Sequence, residues 1–316
     1  CRFFSRIYLK SYVWFRIFQL KHLQWLDIES NKISALPERL FDLKNLRKLN
    51  IGDNPFQALP SGIGQLSKLE YIGLANSKVQ SYPKEFAKLQ KLREVMLQSA
   101  NVTTLPEEFG QLGSLERIYL NFNPQLDAHQ ALKVLSKLPK LEEVIMYASG
   151  VNTFPPEVVN LKALKKLYLG GQQLNLKQIV PLLGKLPALT YLYLDEIKEI
   201  PSDIQLLNHL DTLIVMDAET RNEDVGLLFS NLKGATSLAF LLFQSDYVDA
   251  IPTQIGELGT LKKLNNLRLR GNKLSTLPEA VTQLKNLQIL DLEINKFSED
   301  EKARIKKLLP HVEVKF

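Results

Sequence analysis

Hydrophobic positions along the 316-residue chain fall on a leucine frame that opens at Leu23, Leu46, Leu69, Leu92, Leu115, Leu141, Leu164, Leu189, Leu210, Leu238, Leu264 and Leu287. Successive openings are 23, 23, 23, 23, 26, 23, 25, 21, 28, 26 and 23 residues apart. Each leads into a version of LxxLxLxxNxL, most completely in Leu264, Leu267, Leu269, Asn272 and Leu274, and nearly as well in Leu23, Leu26, Ile28, Asn31 and Ile33. Apolar residues at the fourth and sixth positions alternate with variable ones, the period-two pattern of a strand with one buried face. A unit this short cannot bury that face alone, so the units stack and their strands join as a parallel sheet. Strands are predicted near residues 24–29, 47–52 and 70–75, and at each later opening.

The return half of the unit comes in two kinds. Eight units place an apolar residue before proline: Leu36-Pro37, Leu59-Pro60, Tyr82-Pro83, Leu105-Pro106, Phe154-Pro155, Ile200-Pro201, Ile251-Pro252 and Leu277-Pro278. Proline fixes φ and lacks a donor, which predicts an extended approach and a short irregular or 3₁₀ return. Three units carry helix-like text instead, Asp127 to Leu138, Asn175 to Leu186 and Asn222 to Leu232, with Asp127 as an N-cap. Helices are wider than extended returns, so the middle of the array is expected to curve more tightly than its ends.

These residues resemble the leucine-rich repeat family, over about 290 of the 316 residues. The resemblance implies an α/β solenoid, a horseshoe with a concave parallel β-sheet and a convex side of mixed 3₁₀, extended and α-helical segments. The proline-containing 23-residue units are similar to the bacterial and intracellular signalling branches, whose arrays act as scaffolds or recognition arms.

Asn31, Asn54, Asn123, Asn272 and Asn295 fill the asparagine position, where an amide can satisfy backbone groups of neighbouring turns. Ser77, Ala100, Ser149, Gln172, Ala218 and Asp246 replace it elsewhere, so irregular backbone is expected near residues 194–200 and 216–226. At the C-terminal end, Ser298 and Glu301 have capping-box spacing ahead of a helix over Glu299 to Leu309, and a short strand over Val312 to Phe316 follows. The domain reading is a degenerate or truncated repeat over 1–22, a solenoid of about 12 repeats over 23–297, and a cap over 298–316 that leaves no room for a downstream catalytic domain.

Charge changes this picture only at the start of the chain. The net charge is +6, from 40 basic and 34 acidic side chains, but Arg2, Arg6, Lys10, Arg16 and Lys21 all precede the first acid, Asp27. A basic groove along the body is therefore excluded, and no nucleic-acid partner is expected. The same stretch holds Phe3, Phe4, Tyr8, Tyr12, Trp14, Phe15 and Phe18. Val13, Ile17 and Leu20 align with Leu36, Leu40 and Leu43, so residues 13–22 read as the back half of a unit. Three readings fit: a truncated chain, an aromatic cap, or a lipoprotein acylated at Cys1, the only case that implies a membrane. A single cysteine rules out an intramolecular disulfide framework and favours a reducing, cytoplasmic setting, with a bacterial cell surface as the alternative.

Little chemistry is on offer. His22, His129, His209 and His311 lie far apart with no second ligand at metal spacing, no Ser/His/Asp or Cys/His grouping can be assembled, and no cofactor is expected. Gly62 and Gly64 are only a fragment of a glycine motif, without the lysine-serine pair of a phosphate loop. What remains is the outward face of the strands. Its fifth-position column is apolar and aromatic over seven successive units, and the candidate partner-binding residues are Met96, Tyr119, Ile145, Tyr147, Tyr168, Tyr191, Tyr193, Ile214, Met216, Phe240 and Leu242. Cross-strand pairing that merely stabilises the sheet is the competing explanation. The functional expectation is a monomeric, non-enzymatic module that binds a protein; alternatives are the recognition arm of an enzyme or signalling GTPase, or a lipid-anchored surface protein.

Overall fold

The computed structural model describes residues 16–171, 173–198, 201–219 and 221–316. Cys1, the basic residues up to Lys10 and the aromatics up to Phe15 lie outside this range, as do Gln172 and, within the expected irregular segments, Glu199, Ile200 and Thr220. Two compact units divide the chain: residues up to 151 with 155–164, and residues 152–154 with 165–316.

The first unit carries six short strands, β1 (Trp25–Asp27), β2 (Lys48–Asn50), β3 (Tyr71–Gly73), β4 (Glu94–Met96), β5 (Arg117–Tyr119) and β6 (Glu143–Ile145). Neighbours pair in parallel with the frame in register, Leu26 opposite Leu49, Leu49 opposite Ile72, Ile72 opposite Val95, Val95 opposite Ile118 and Ile118 opposite Val144. All six of these central residues are fully buried. The second unit carries β7 (Lys166–Gly170), β8 (Tyr191–Asp195), β9 (Thr212–Met216), β10 (Phe240–Phe243), β11 (Asn266–Arg268), β12 (Ile289–Asp291) and β13 (Glu313–Lys315), again paired in parallel and in sequence order.

Every apolar-proline pair leads into a 3₁₀ helix. The proline carbonyl accepts from the N–H three residues on, as from Leu40 to Pro37 at 2.9 Å and from Phe109 to Pro106 at 3.0 Å, and the residue so anchored is buried. Proline thus supplies a fixed φ and an acceptor at the point where its missing donor costs nothing. The helix-like texts form α1 (Ala128–Leu135), α2 (Leu176–Leu183) and α3 (Asn222–Leu232). Asp127 and Asn175 cap the first two by accepting from Gln130 N–H at 2.9 Å and Gln178 N–H at 3.2 Å. In α3 the Asp224 carboxylate reaches back to the Arg221 N–H at 3.0 Å. Helix α4 (Glu299–Leu308) follows Ser298, whose hydroxyl accepts from the Glu301 N–H at 3.2 Å, and β13 then adds to β12. Gly62 and Gly64 are packing positions: a methyl on Gly62 would lie 2.2 Å from the Phe41 ring, and one on Gly64 would lie 2.6 Å from the Glu85 carbonyl.

The asparagines bridge repeats. Asn123 donates to Leu97 O at 2.9 Å and Leu120 O at 2.7 Å and accepts from Val102 N–H at 3.0 Å. Asn54 and Asn295 repeat this pattern on Ile28, Ile51 and Ile33, and on Leu269, Leu292 and Leu274. Ser149 keeps one such bond, to Leu120 O at 2.6 Å. Ser77 is fully buried with its hydroxyl unpartnered, and Ala100 offers nothing, so two successive repeats lack the bridge.

One position differs from its sequence assignment. Ser245, not Asp246, occupies the bridging place in the repeat opening at Leu238: its hydroxyl donates to Ala218 O at 2.6 Å, and its N–H donates to Asn272 Oδ1 at 2.8 Å, while Asp246 is exposed. The cause is a turn. In the other frames the eighth residue has positive φ: Ser30, Asp53, Asn76, Ser99, Phe122, Ala148, Gly171, Glu196, Asp217, Gly271 and Ile294. The Leu238 repeat omits that left-handed residue, and its bridging group arrives one residue early.

Two stability measurements check this account. Asn123→Ala strips three buried backbone groups of their partner and is expected to lower stability by about 2–4 kcal/mol in denaturant unfolding; a loss below about 0.5 kcal/mol contradicts the bridging role. Ile294, 70% exposed at φ 57°, is β-branched where that conformation is least tolerated. Ile294→Gly should raise stability by about 1 kcal/mol.

Candidate functional site

Alternation along each strand sets the surface. With Ile118, Leu167, Leu192 and Leu213 turned into the core, the flanking residues stand on the opposite face of the sheet. In the first unit Met96, Tyr119 and Tyr147 are half-buried there, and Ile145 is buried at 6% exposure. Met96 pairs with Tyr119, and Tyr119 with Ile145. The Tyr71 hydroxyl lies 3.8 Å from Met96 Sδ. Burial first, then Glu94, Glu29 and Asp27, push the Tyr71 phenol up to about 12.

The second unit brings Tyr168, Tyr193, Ile214 and Leu242 into one cross-strand row, followed by Arg268. Tyr168 stacks at a tilt against Tyr191 and Tyr193, with ring centroids 5.0 and 5.7 Å apart. Lys166 Nζ sits 5.9 Å from the Tyr191 ring, and the Arg268 guanidinium 5.0 Å from the Phe240 ring. Tyr191, Met216 and Phe240 widen the row at adjacent positions, all half-buried. These contacts stabilise the sheet, and the aromatic faces remain half-exposed.

Sequence reasoning followed the apolar and aromatic residues of the outward positions and so missed two features at the C-terminal ends of the strands. Phe122, 47% exposed at the left-handed turn position, meets Tyr147 edge-on at 5.2 Å. In the second unit Asp195, Glu196 and Asp217 converge. Desolvation, then the charges of Asp217 and Glu196, raise the Asp195 pKa against the opposing hydrogen bonds from the Glu196 backbone and the Tyr193 hydroxyl. The acid at the seventh position of the Leu189 repeat and the residues at the eighth position were the signal to follow. Among the described residues, no group of three or more His, Cys, Asp or Glu side chains is placed to hold a metal ion, and no helix is long and apolar enough to cross a membrane.

Comparison with known proteins agrees with this architecture. A model described as "Leucine-rich repeat region" matches residues 61–173, and one described as "Leucine rich repeat" matches residues 16–56. Both matched stretches are leucine-rich repeats. A solved leucine-rich-repeat protein of Leptospira interrogans, LIC12759, is 29% identical over 98% of this chain and 92% of its own length, with a TM-score of 0.53. An internalin of Listeria monocytogenes is 20% identical over 94% of this chain and 81% of its own, with a TM-score of 0.66. The Toll–Spatzle complex of Drosophila matches at 20% identity and a TM-score of 0.60, covering 89% of this chain and 39% of the matched one. Comparison with curated proteins gives no match.

The expected cytoplasmic location needs correction: these similar leucine-rich-repeat structures, the internalin and Toll among them, point to the cell surface or exterior. The inference from a single cysteine fails for a physical reason. Disulfides compensate for small cores, and an array with this many fully buried leucines has no need of them in any compartment.

The charge cluster makes a signed prediction about pH. Because folding raises the Asp195 pKa, its ionisation opposes folding, and that penalty is present above the folded pKa and absent below the unfolded one. Asp195→Asn should therefore melt higher than the parent at neutral pH, with the difference vanishing below about pH 3; a lower melt at neutral pH would contradict the repulsive corner.

Proposed function

We propose that the chain is a non-enzymatic protein-binding module whose partner docks on the outward face of the strands. Leucine-rich-repeat solenoids offer such a face as their binding surface. The observation that carries the reading is the row Tyr168, Tyr193, Ile214 and Leu242, in register across four strands and half-exposed in a sheet whose opposite face is fully packed. Tyrosine suits this role by its large contact area, small loss of conformational entropy and a polar tip that tolerates water before the partner arrives, and methionine by an adaptable apolar side chain. The first unit by itself carries the same chemistry in Met96, Tyr119 and Tyr147, with Ile145 buried. The 23-residue spacing with proline and the Leptospira relative support a place among the bacterial members of the family. The partner is a polypeptide, and no nucleic acid is involved, since the basic excess lies in the first 21 residues. The Toll–Spatzle complex supports the choice of a protein ligand.

Tyr168→Ala combined with Tyr193→Ala tests the assignment. Both side chains stand outside the core, so the melt should move by only about 1–2 kcal/mol equivalent while capture of the cognate partner from the source cells is lost. Capture at parental strength by the folded double variant overturns the site.

A further inference from the structure

The edge of each unit at which the strands start carries a depression lined by lysines, and the two differ in charge balance. In the first unit Lys68 and Lys91 stand beside Arg47 and Glu70. There Glu70 lies in the fork of Arg47, at 2.6 and 3.0 Å, and Lys68 donates to the Asn45 amide oxygen at 2.7 Å. In the second unit a depression of about 600 Å³ spans the repeats opening at Leu238, Leu264 and Leu287 and reaches His311, between α4 and β13. Lys262, Lys263 and Lys285 line it, all exposed, and no carboxylate does. Among the described residues, none of these three lysines is in an ion pair.

The second position of the repeat explains the difference. In the first unit it alternates in sign through Arg47, Glu70, Arg93 and Glu116, and these pair across neighbouring repeats. At the last three openings it holds Ala239, Asn265 and Gln288. A neutral group thus stands three times running where an acid would neutralise the lysines, and Ala239 leaves open the space that a longer side chain takes elsewhere. The Asn265 and Gln288 amides are exposed, and among the described residues neither side chain is hydrogen-bonded within the protein, so donors and acceptors stand among the cations. The acids at neighbouring positions are engaged: Asp211 accepts from the Thr212 hydroxyl at 3.0 Å, and Glu313 pairs with Lys315 at 3.4 Å. Lys262 and Lys285 hold the same place in successive repeats, two residues before the frame leucine, so their backbones are roughly one strand spacing apart.

We propose that this depression binds an acidic saccharide chain, its carboxylate or sulfate groups on Lys262, Lys263 and Lys285 and its hydroxyls on the Asn265 and Gln288 amides. Ammonium groups supply charge without demanding a fixed geometry, and an amide serves a hydroxyl as donor and acceptor at once. Other polyanions fit less well. Nucleic acid strands are held by stacking bases on aromatic side chains, and none lines the depression. A peptide needs an apolar anchor, and the apolar side chains here are a half-buried Ala239 and a buried Leu287. The near-balance of charge after Lys21 conceals this concentration, because acids elsewhere in the chain offset it. The site is separate from the protein-docking face and does not depend on it.

Calorimetric titration of the 316-residue chain with a heparin-derived hexasaccharide tests the assignment, at about 0.15 M salt to screen loose attraction. Lys262→Gln/Lys263→Gln/Lys285→Gln and, separately, Ala239→Glu are each expected to raise Kd by about tenfold or more. The second variant keeps every lysine and restores the carboxylate that Glu70 and Glu116 place in other repeats. Asn265→Ala/Gln288→Ala should weaken binding by about threefold or more. Arg2→Gln/Arg6→Gln/Lys10→Gln, which removes as many charges from the basic start of the chain, should bind as the parent does. Failure of the parent to bind, or a Kd unmoved by the lysine variant or by Ala239→Glu, overturns the site, as does an equal loss in the Arg2/Arg6/Lys10 variant. A polyglutamate peptide and single-stranded DNA of matched charge are titrated in parallel. Binding of either as tight as that of the hexasaccharide, or a Kd unmoved by the amide variant, overturns the saccharide as ligand. Melts of each variant establish that losses are not losses of fold.

Discussion

A strand of three to five residues has one inward face and too little chain of its own to cover it, so each repeat can bury its central leucine, isoleucine or valine only beneath the turns of its neighbours. The other features of the fold follow from this. Register is fixed because a slip of one residue would turn Leu49 or Leu192 to solvent. Returns must be narrow enough to stack, which proline achieves by coupling a fixed φ to a carbonyl that holds the next buried residue. Where the chain is longer, as from Asp127 or Asn175, an α-helix with a side-chain cap fills the same place.

Backbone polar groups pose the second demand, since turns pressed together lose water at their carbonyls. The asparagines answer it with one amide serving three groups. That the repeat at Leu238 does the same with Ser245, one residue early, shows that the requirement is for a donor at a place in space rather than for a residue at a place in the sequence. The left-handed residue before the bridge sets that place, and the repeat that omits it shifts accordingly.

This separates what the sequence makes legible from what it does not. Strand positions, the two kinds of return and the caps at Asp127 and Ser298 are local consequences of residue type, and they are read directly from spacing. The Ser245 shift is not, because Ser245 and Asp246 are both polar and only the backbone turn decides between them. The outward row was legible for the same reason as the core, since alternation places both. The convergence of Asp195, Glu196 and Asp217 was not, because it needs the pairing of β8 with β9 and the direction in which a left-handed residue throws its side chain. Location could not be read from one cysteine, which reports on a need for crosslinks and not on the compartment.

The missing bridges at Ser77 and Ala100 have a mechanical meaning. In a stacked array, cohesion is a sum of couplings between nearest neighbours, and here two consecutive couplings in the first unit lack the buried bridge and hold by packing, strand pairing and more exposed side-chain contacts such as Arg47 with Glu70. Pulled from its ends, that unit would part in its interior, between the strands at Lys48 and Glu94, before its amide-bridged repeats let go. The unit's point of give is built in as an omission.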